Sequence, residues 1–406
     1  PDKWGENTVP LVQLNAYNDR EYILELWHGP TAAFKDVALQ LLPHLMTASI
    51  KKTGESKKIC ILTATSGDTG KAALEGFKDL PGTEIIVFYP SDGVSEAQKL
   101  QMITTTGNNT HVIAVNGCFD DAQTGVKKIF ADGEFAKMLD SNGVKLSSAN
   151  SINISRLLPQ AFYYMYSSLV VRNRSALNNK IENPDIVMVV PSGNFGNLTS
   201  GLIAKEMGAP IAGFVAATNS NRTIPDWIAT GDYNARPSVE TFANAMDVGA
   251  PSNYERIKAM YSLDQVREMF GSYWTDNDGI IEAIKSCNSK TGYIIDPHGA
   301  IGWDAWNNIR NGAMEDLKNG NKGDYTKPGL TPNIPLWTDK VINKKAVGVI
   351  LETASPAKFG SIVQNAIGKE PAMPSRLEEV MRLPDRAIPM ENDYNQFKDW
   401  LLANLK

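Results

Sequence analysis

Five short segments of this 406-residue chain combine glycine, hydroxyl, amide and charged side chains in patterns suited to binding an anion or activating an amine. In VVPSGNFGN (189–197) an apolar run enters Ser192, Gly193, Asn194, Phe195, Gly196 and Asn197, and a helical pattern follows at once. Glycine lets the backbone approach an anion, and a helix N-terminus offers unpaired N–H groups and a favourable dipole, so the segment reads as a phosphate cradle. Gly193 and Gly196 form GxxG and not the GxGxxG of a dinucleotide site. A tight strand–helix turn without a ligand has the same spacing.

The segment ILTATSGDTGKAAL (61–74) repeats the scheme, with Ser66, Asp68 and Thr69 at the helix start. It is not a Walker A loop, because Thr65 stands where the first glycine is required and Ala72 where Ser or Thr is. Two such turns imply two anionic groups to hold. In LWHGPTAAFKDVALQ (26–40), Lys35 follows Phe34 and a His-Gly-Pro turn at the start of an apolar helical pattern. Apolar neighbours desolvate an amine and favour the neutral form that Schiff-base chemistry needs. A lysine whose head snorkels to water has the same local sequence.

In SSANSINISRLL (147–158), Asn150, Ser151, Asn153, Ser155 and Arg156 are dense in donors. Arg156 suits a phosphate or carboxylate, while Ser155 fits the N-cap of a helix starting near it. Last, VILETASPAKFG (349–360) brings Glu352, Thr353 and Ser355 to the end of an apolar run, and strand C-termini are where ligands sit in open α/β sheets.

The elements that must position these residues are short Ile- and Val-rich runs at 59–64, 84–89, 111–116, 185–191, 211–217 and 346–352. They do not alternate, as expected of strands buried on both faces. Helical patterns lie between them at 69–78, 95–105, 119–139, 156–171, 196–207, 298–313 and 356–367. The alternation predicts an α/β protein with parallel sheets. Stretches 218–260 and 319–333 are rich in turn residues and read as irregular.

A net charge of −5 without basic runs argues against a nucleic-acid partner. No apolar stretch is long enough to span a membrane, and no signal peptide opens the chain, so a cytoplasmic location is expected. Three scattered cysteines suit buried free thiols, and four histidines show no metal-ligand spacing, so no metal is expected. The chain opens on Pro1, which reads as processing or a missing N-terminal portion.

Together these segments resemble the threonine synthases, fold-type II enzymes dependent on pyridoxal 5'-phosphate (PLP). The resemblance rests on HGPTAAFKD (28–36), TATSGDTG (63–70), SANSINISR (148–156), VPSGNFGN (190–197), AATNSNRTIP (216–225), NAMDVGAPSN (244–253) and TASPAKF (353–359), which fall in the family's order. It implies two parallel-sheet α/β domains with the cofactor in the cleft between them. The expected division is a large PLP-binding domain of 1–36 and 156–406 and a smaller one of 37–155.

By the same resemblance Lys35 carries PLP and moves protons, Gly193, Asn194, Phe195, Gly196 and Asn197 hold its phosphate, Asp68 faces its ring hydroxyl, and Thr353 lies beside its pyridine nitrogen. Ser66, Thr69, Asn150, Ser151 and Arg156 are expected to bind the substrate, O-phospho-L-homoserine, which reacts with water to give L-threonine and phosphate. A phospho-lyase releasing 2-oxobutyrate, ammonia and phosphate is the alternative on this scaffold. Ser355 stands where the family often has His, and most of the family's usual N-terminal segment is missing. A monomer or homodimer is expected.

Overall fold

The structure is a computed structural model that describes residues 4, 7–14, 20–91, 94–177, 183–321, 324–380 and 382–405. The chain divides into two compact units, Pro1–His28 with Leu157–Ala372, and Gly29–Arg156 with Met373–Lys406. The strands are β1 (Leu11–Gln13), β2 (Glu21–Glu25), β3 (Lys58–Ala64), β4 (Thr83–Pro90), β5 (Thr110–Asn116), β6 (Val144–Ser148), β7 (Asp185–Pro191), β8 (Gly213–Thr218), β9 (Phe270–Trp274), β10 (Gly329–Leu330), β11 (Ala346–Glu352) and β12 (Ile388–Glu391).

In the first unit the strand order is β1-β2-β11-β7-β8-β9-β10, parallel except at the two edge pairs. In the second it is β12-β5-β4-β3-β6, parallel throughout. The six apolar runs of the sequence are six of the eight interior strands among the described residues, β3, β4, β5, β7, β8 and β11; the other two, β2 and β9, were not expected. Their two faces feed separate cores, with Cys60, Leu62, Ile86 and Phe88 on one side of the second sheet and Ile59, Ile61, Ile85 and Val87 on the other. Burial on both faces is why these strands carry no polar alternation. In the first unit Trp303 and Trp306, on the helix Pro297–Asn308, pack with Val187, Val189 and Ile350 of the sheet.

Several expectations need correction. The helical pattern at 119–139 is two helices, Phe119–Ala131 and Gly133–Ser141, because Asp132 leaves the helical region and its carboxylate accepts the Phe135 amide as an N-cap. The helix over 298–313 ends at Asn308 and continues as a π-helical turn, Ile309–Ala313, where Gly312 takes a φ of +109°. Of the three cysteines Cys118 is exposed, and only Cys60 and Cys287 are buried.

The division of the chain also differs from the one expected. Lys35 lies in the second unit, and so does the C-terminal stretch 373–406. There β12 pairs in parallel with β5, and the helix Tyr394–Asn404 buries Phe397 and Leu401 in the core of that sheet. Gly125 makes room for this helix, since a Cβ there would come within 2.3 Å of the Phe397 ring. Truncating Phe397 to Ala therefore opens a cavity in the second unit. The expected cost is about 3–5 kcal/mol, read as a lower urea midpoint. A loss below about 1 kcal/mol would mean that the C-terminal helix contributes little to this core.

Candidate active site

In the second unit Lys35 is the first residue of the short helix Lys35–Leu39 and is only 8% exposed. Its Nζ lies 3.4 Å from Asp68 Oδ2 and 4.6 Å from the centre of the Phe34 ring. The snorkelling alternative is therefore excluded: the amine points into the protein and meets a carboxylate. Asp68 in turn begins the helix Asp68–Phe77, and its other oxygen accepts from Gln98 Nε2 at 2.9 Å.

Two features of the 61–74 segment set that geometry. Gly67 takes a φ of +140°, and a Cβ there would meet Gln98 at 2.7 Å, so only glycine serves. The Thr65 hydroxyl accepts from the amides of Gly67 and Gly70 at 2.9 and 3.0 Å. Ser66 and Thr69 are half-buried at this helix start, and neither hydroxyl bonds another described residue. Asp36, next to the lysine, is fully buried and accepts from the amide and hydroxyl of Thr31 at 2.8 and 2.7 Å. It thereby locks the turn that precedes Lys35. Sequence reading assigned Asp36 and Gln98 no role; the available signal was an acidic residue inside an apolar helical pattern.

The donor-rich segment 147–158 lies in the same unit through Arg156. The Asn150 side chain donates to the Ala64 carbonyl at 2.9 Å, tying the end of β6 to the end of β3. Arg156 is 3% exposed, and its guanidinium donates to the Ala149 carbonyl at 2.9 Å. Ser151 is also buried. The N-cap is not Ser155, which sits inside the helix Ile154–Leu157; Asn153 Oδ1 accepts the Ser155 amide instead.

The first unit holds the other expected residues. β7 and β11 are parallel neighbours, so the turn after Pro191 and the stretch after Glu352 leave the same edge of one sheet. At the first of these, Phe195 takes a left-handed φ of +59° and the helix Gly196–Glu206 begins. The first helical bond runs from the Thr199 amide to the Phe195 carbonyl. The amides of Gly196, Asn197 and Leu198 thus have no intrahelical acceptor, which is the disposition an anion requires. A Cβ on Gly193 would come within 2.6 Å of the Met246 backbone. Asn194 turns its carboxamide oxygen onto the amide and hydroxyl of Ser252, at 2.6 and 2.9 Å. Asn197 Oδ1 accepts from the hydroxyls of Tyr163 and Tyr164 at 2.5 and 2.8 Å. The contribution of this turn to an anion is accordingly its backbone.

Thr353 is 7% exposed at the end of β11, and Ser355 is buried two residues on. Glu352 between them and the sheet belongs to a polar cluster that the sequence did not reveal. Glu25 and Glu352 are register partners on adjacent parallel strands. The Tyr293 hydroxyl bonds both, at 2.6 Å to Glu25 and at a shorter separation to Glu352. A phenol has one proton to donate, so the second contact needs a proton from a carboxyl. Burial holds Glu352 well above the usual carboxylate range, with Asp296 adding to the effect. The Trp27 indole donates to Glu352 at 2.6 Å, and His28 Nε2 lies 2.6 Å from Glu25.

Comparison with known proteins bears on the family rather than on individual residues. Residues 5–320 match the family of pyridoxal-phosphate dependent enzymes, and residues 338–401 match the C-terminal region of threonine synthase. The threonine synthase of Haemophilus influenzae is 35% identical over 393 residues, covering 96% of this chain and 80% of the relative. The crystal structure of threonine synthase from yeast superposes with a TM-score of 0.80 at 29% identity, covering 100% of this chain and 82% of that one. The PLP-bound threonine synthase of Brucella melitensis superposes with a TM-score of 0.76 at 31% identity, covering 98% and 81%. On its sequence and its fold, the chain belongs to the threonine synthase family of fold-type II, pyridoxal-phosphate-dependent enzymes.

Proposed function

We propose that the chain converts O-phospho-L-homoserine and water to L-threonine and phosphate, with PLP carried on Lys35. The observation behind this reading is the buried Lys35–Asp68 pair, an amine withdrawn from water and held beside a carboxylate. The residues fit the cofactor on two further counts. Met246 lies so close to Gly193 that the turn admits no side chain there, and the helix after the turn begins with amides that lack intrahelical acceptors.

In this reading Gly193, Asn194, Phe195, Gly196 and Asn197 hold the cofactor phosphate through their backbone. Asp68, which meets Lys35, would face the ring hydroxyl. Thr353 would offer a neutral hydroxyl to the pyridine nitrogen, which would not enforce protonation as a carboxylate would. Bound PLP supplies the electron sink that makes the Cα and Cβ protons removable and lets phosphate leave Cγ. Lys35 Nζ takes the proton from the substrate Cα and serves the later proton transfers. Asn150, Ser151 and Arg156 bind the substrate phosphate, with Ser66 and Thr69 beside the substrate. The Cγ–O bond breaks, Cγ ends as a methyl group, and the hydroxyl of water enters at Cβ.

The decisive assay supplies purified protein with PLP and O-phospho-L-homoserine and follows phosphate, threonine and 2-oxobutyrate together. Phosphate matched by threonine is the expected outcome; phosphate matched by oxobutyrate would make the chain a phospho-lyase on the same fold. Lys35→Ala should lower turnover by about 10³-fold or more, and borohydride should no longer fix the cofactor to the protein. Arg156→Lys should lower kcat/KM roughly 10–100-fold through KM, because one ammonium cannot reproduce a forked guanidinium contact to phosphate. An unchanged KM in that variant would remove Arg156 from the substrate site.

A further inference from the structure

The phosphate turn is shaped from outside its own sequence. The segment that braces it, 243–253, contains only one short 3-10 turn, Asn244–Met246, before the helix Tyr254–Met260 begins. It touches the turn at three places. The Met246 backbone lies where a Cβ on Gly193 would have to go. Ser252 donates its amide and hydroxyl to the Asn194 side chain, and Asn253 Nδ2 donates to the Asn194 carbonyl at 2.9 Å.

A backbone path with so little regular structure needs another anchor, and the Asp247 carboxylate supplies one. It is 9% exposed and accepts four hydrogen bonds. They come from the Thr241 amide at 2.9 Å, the Thr241 hydroxyl at 2.7 Å, Asn219 Nδ2 at 2.7 Å and Asn221 Nδ2 at 3.2 Å. Asn219 and Asn221 directly follow β8, the sheet neighbour of β7, which leads into the phosphate turn. Asn219 Oδ1 accepts from the Asn221 amide at 2.9 Å, so the carboxamides are oriented before they meet the carboxylate. The knot therefore ties the bracing segment to the same sheet that launches the turn.

We infer that Asp247 is a positioning residue for the cofactor phosphate. By fixing the path of 241–247 it places the Met246 backbone under Gly193 and sends Ser252 and Asn253 to Asn194, so that the helix-start amides keep their aim. The inference rests on the reading of Gly193–Asn197 as the phosphate cradle. Asp247→Asn replaces an acceptor oxygen by a donor facing Thr241 and Asn219, which leaves at least one buried pair unmade.

The test compares the affinity of the cofactor-free protein for PLP with its affinity for pyridoxal, which lacks the phosphate. Asp247→Asn should raise the dissociation constant for PLP at least tenfold, in line with the cost of leaving a buried polar group unpaired. Ser252→Ala, a milder change at the brace itself, should raise it severalfold. Both should leave pyridoxal binding within about twofold, a contrast that general loosening of the protein would not produce.

If Asp247→Asn does not fold, Ser252→Ala decides alone. Equal losses for PLP and pyridoxal, or no loss for either variant, would overturn the inference. Gly193→Ala is the control for the cradle. Normal PLP binding by that variant would mean that the cradle reading has failed. Weakened binding there, with Asp247→Asn and Ser252→Ala unaffected, would mean that only the brace has failed.

Discussion

An amine cannot be withdrawn from water without a partner or the loss of its proton, and the second unit is organised around that constraint. Desolvating an ammonium costs several kcal/mol even after relaxation. Lys35, 8% exposed, meets the Asp68 carboxylate at 3.4 Å. Asp68 is useful only if its own direction is set, and Gln98 and the Gly67 turn set it. Asp36 fixes the approach of the chain to Lys35 from the other side in sequence, through Thr31. Two neighbouring residues of opposite charge thus take different partners: Lys35 meets Asp68, and Asp36 holds the turn at Thr31.

The first unit meets a different requirement, that of presenting unpaired backbone amides without letting the turn collapse onto them. A helix start is anion-receptive because its first amides have no partner. The same lack leaves its geometry to be fixed by neighbours. Gly193 against Met246, Asn194 on Ser252 and Asn253, and Asn197 under two tyrosine hydroxyls perform that function. The Asn194 and Asn197 side chains are engaged within the protein, and the first helical amides are left without intrahelical acceptors.

Beside that turn, on the same sheet edge, Glu25 and Glu352 bring two carboxyls together around Tyr293. Burial raises the Glu352 carboxyl well above the usual carboxylate range. Thr353 follows Glu352 directly, so the strand end that carries it adjoins this cluster. The Trp27 indole and the Asp296 backbone amide donate to Glu352 and complete the hold.

The residues by themselves determined the α/β class, six of the eight described interior strands and the order of the family's segments. Strands buried on both faces need unbroken apolar runs, and β3, β7 and β11 have them. Lys35, the 193–197 turn and Arg156 stood out as candidates because residue type within a few positions is enough to suggest their chemistry, and the fold buries Lys35 and Arg156. Tertiary structure alone decided what each polar group does. Asn150 braces a strand end, and Asn153 rather than Ser155 caps its helix. Tyr293 meets Glu25 across 268 positions, and residues 373–406 complete the second unit instead of the first. The reason is physical: periodicity records burial along one element, whereas a buried polar atom bonds whatever the folded chain brings within 3 Å or so of it.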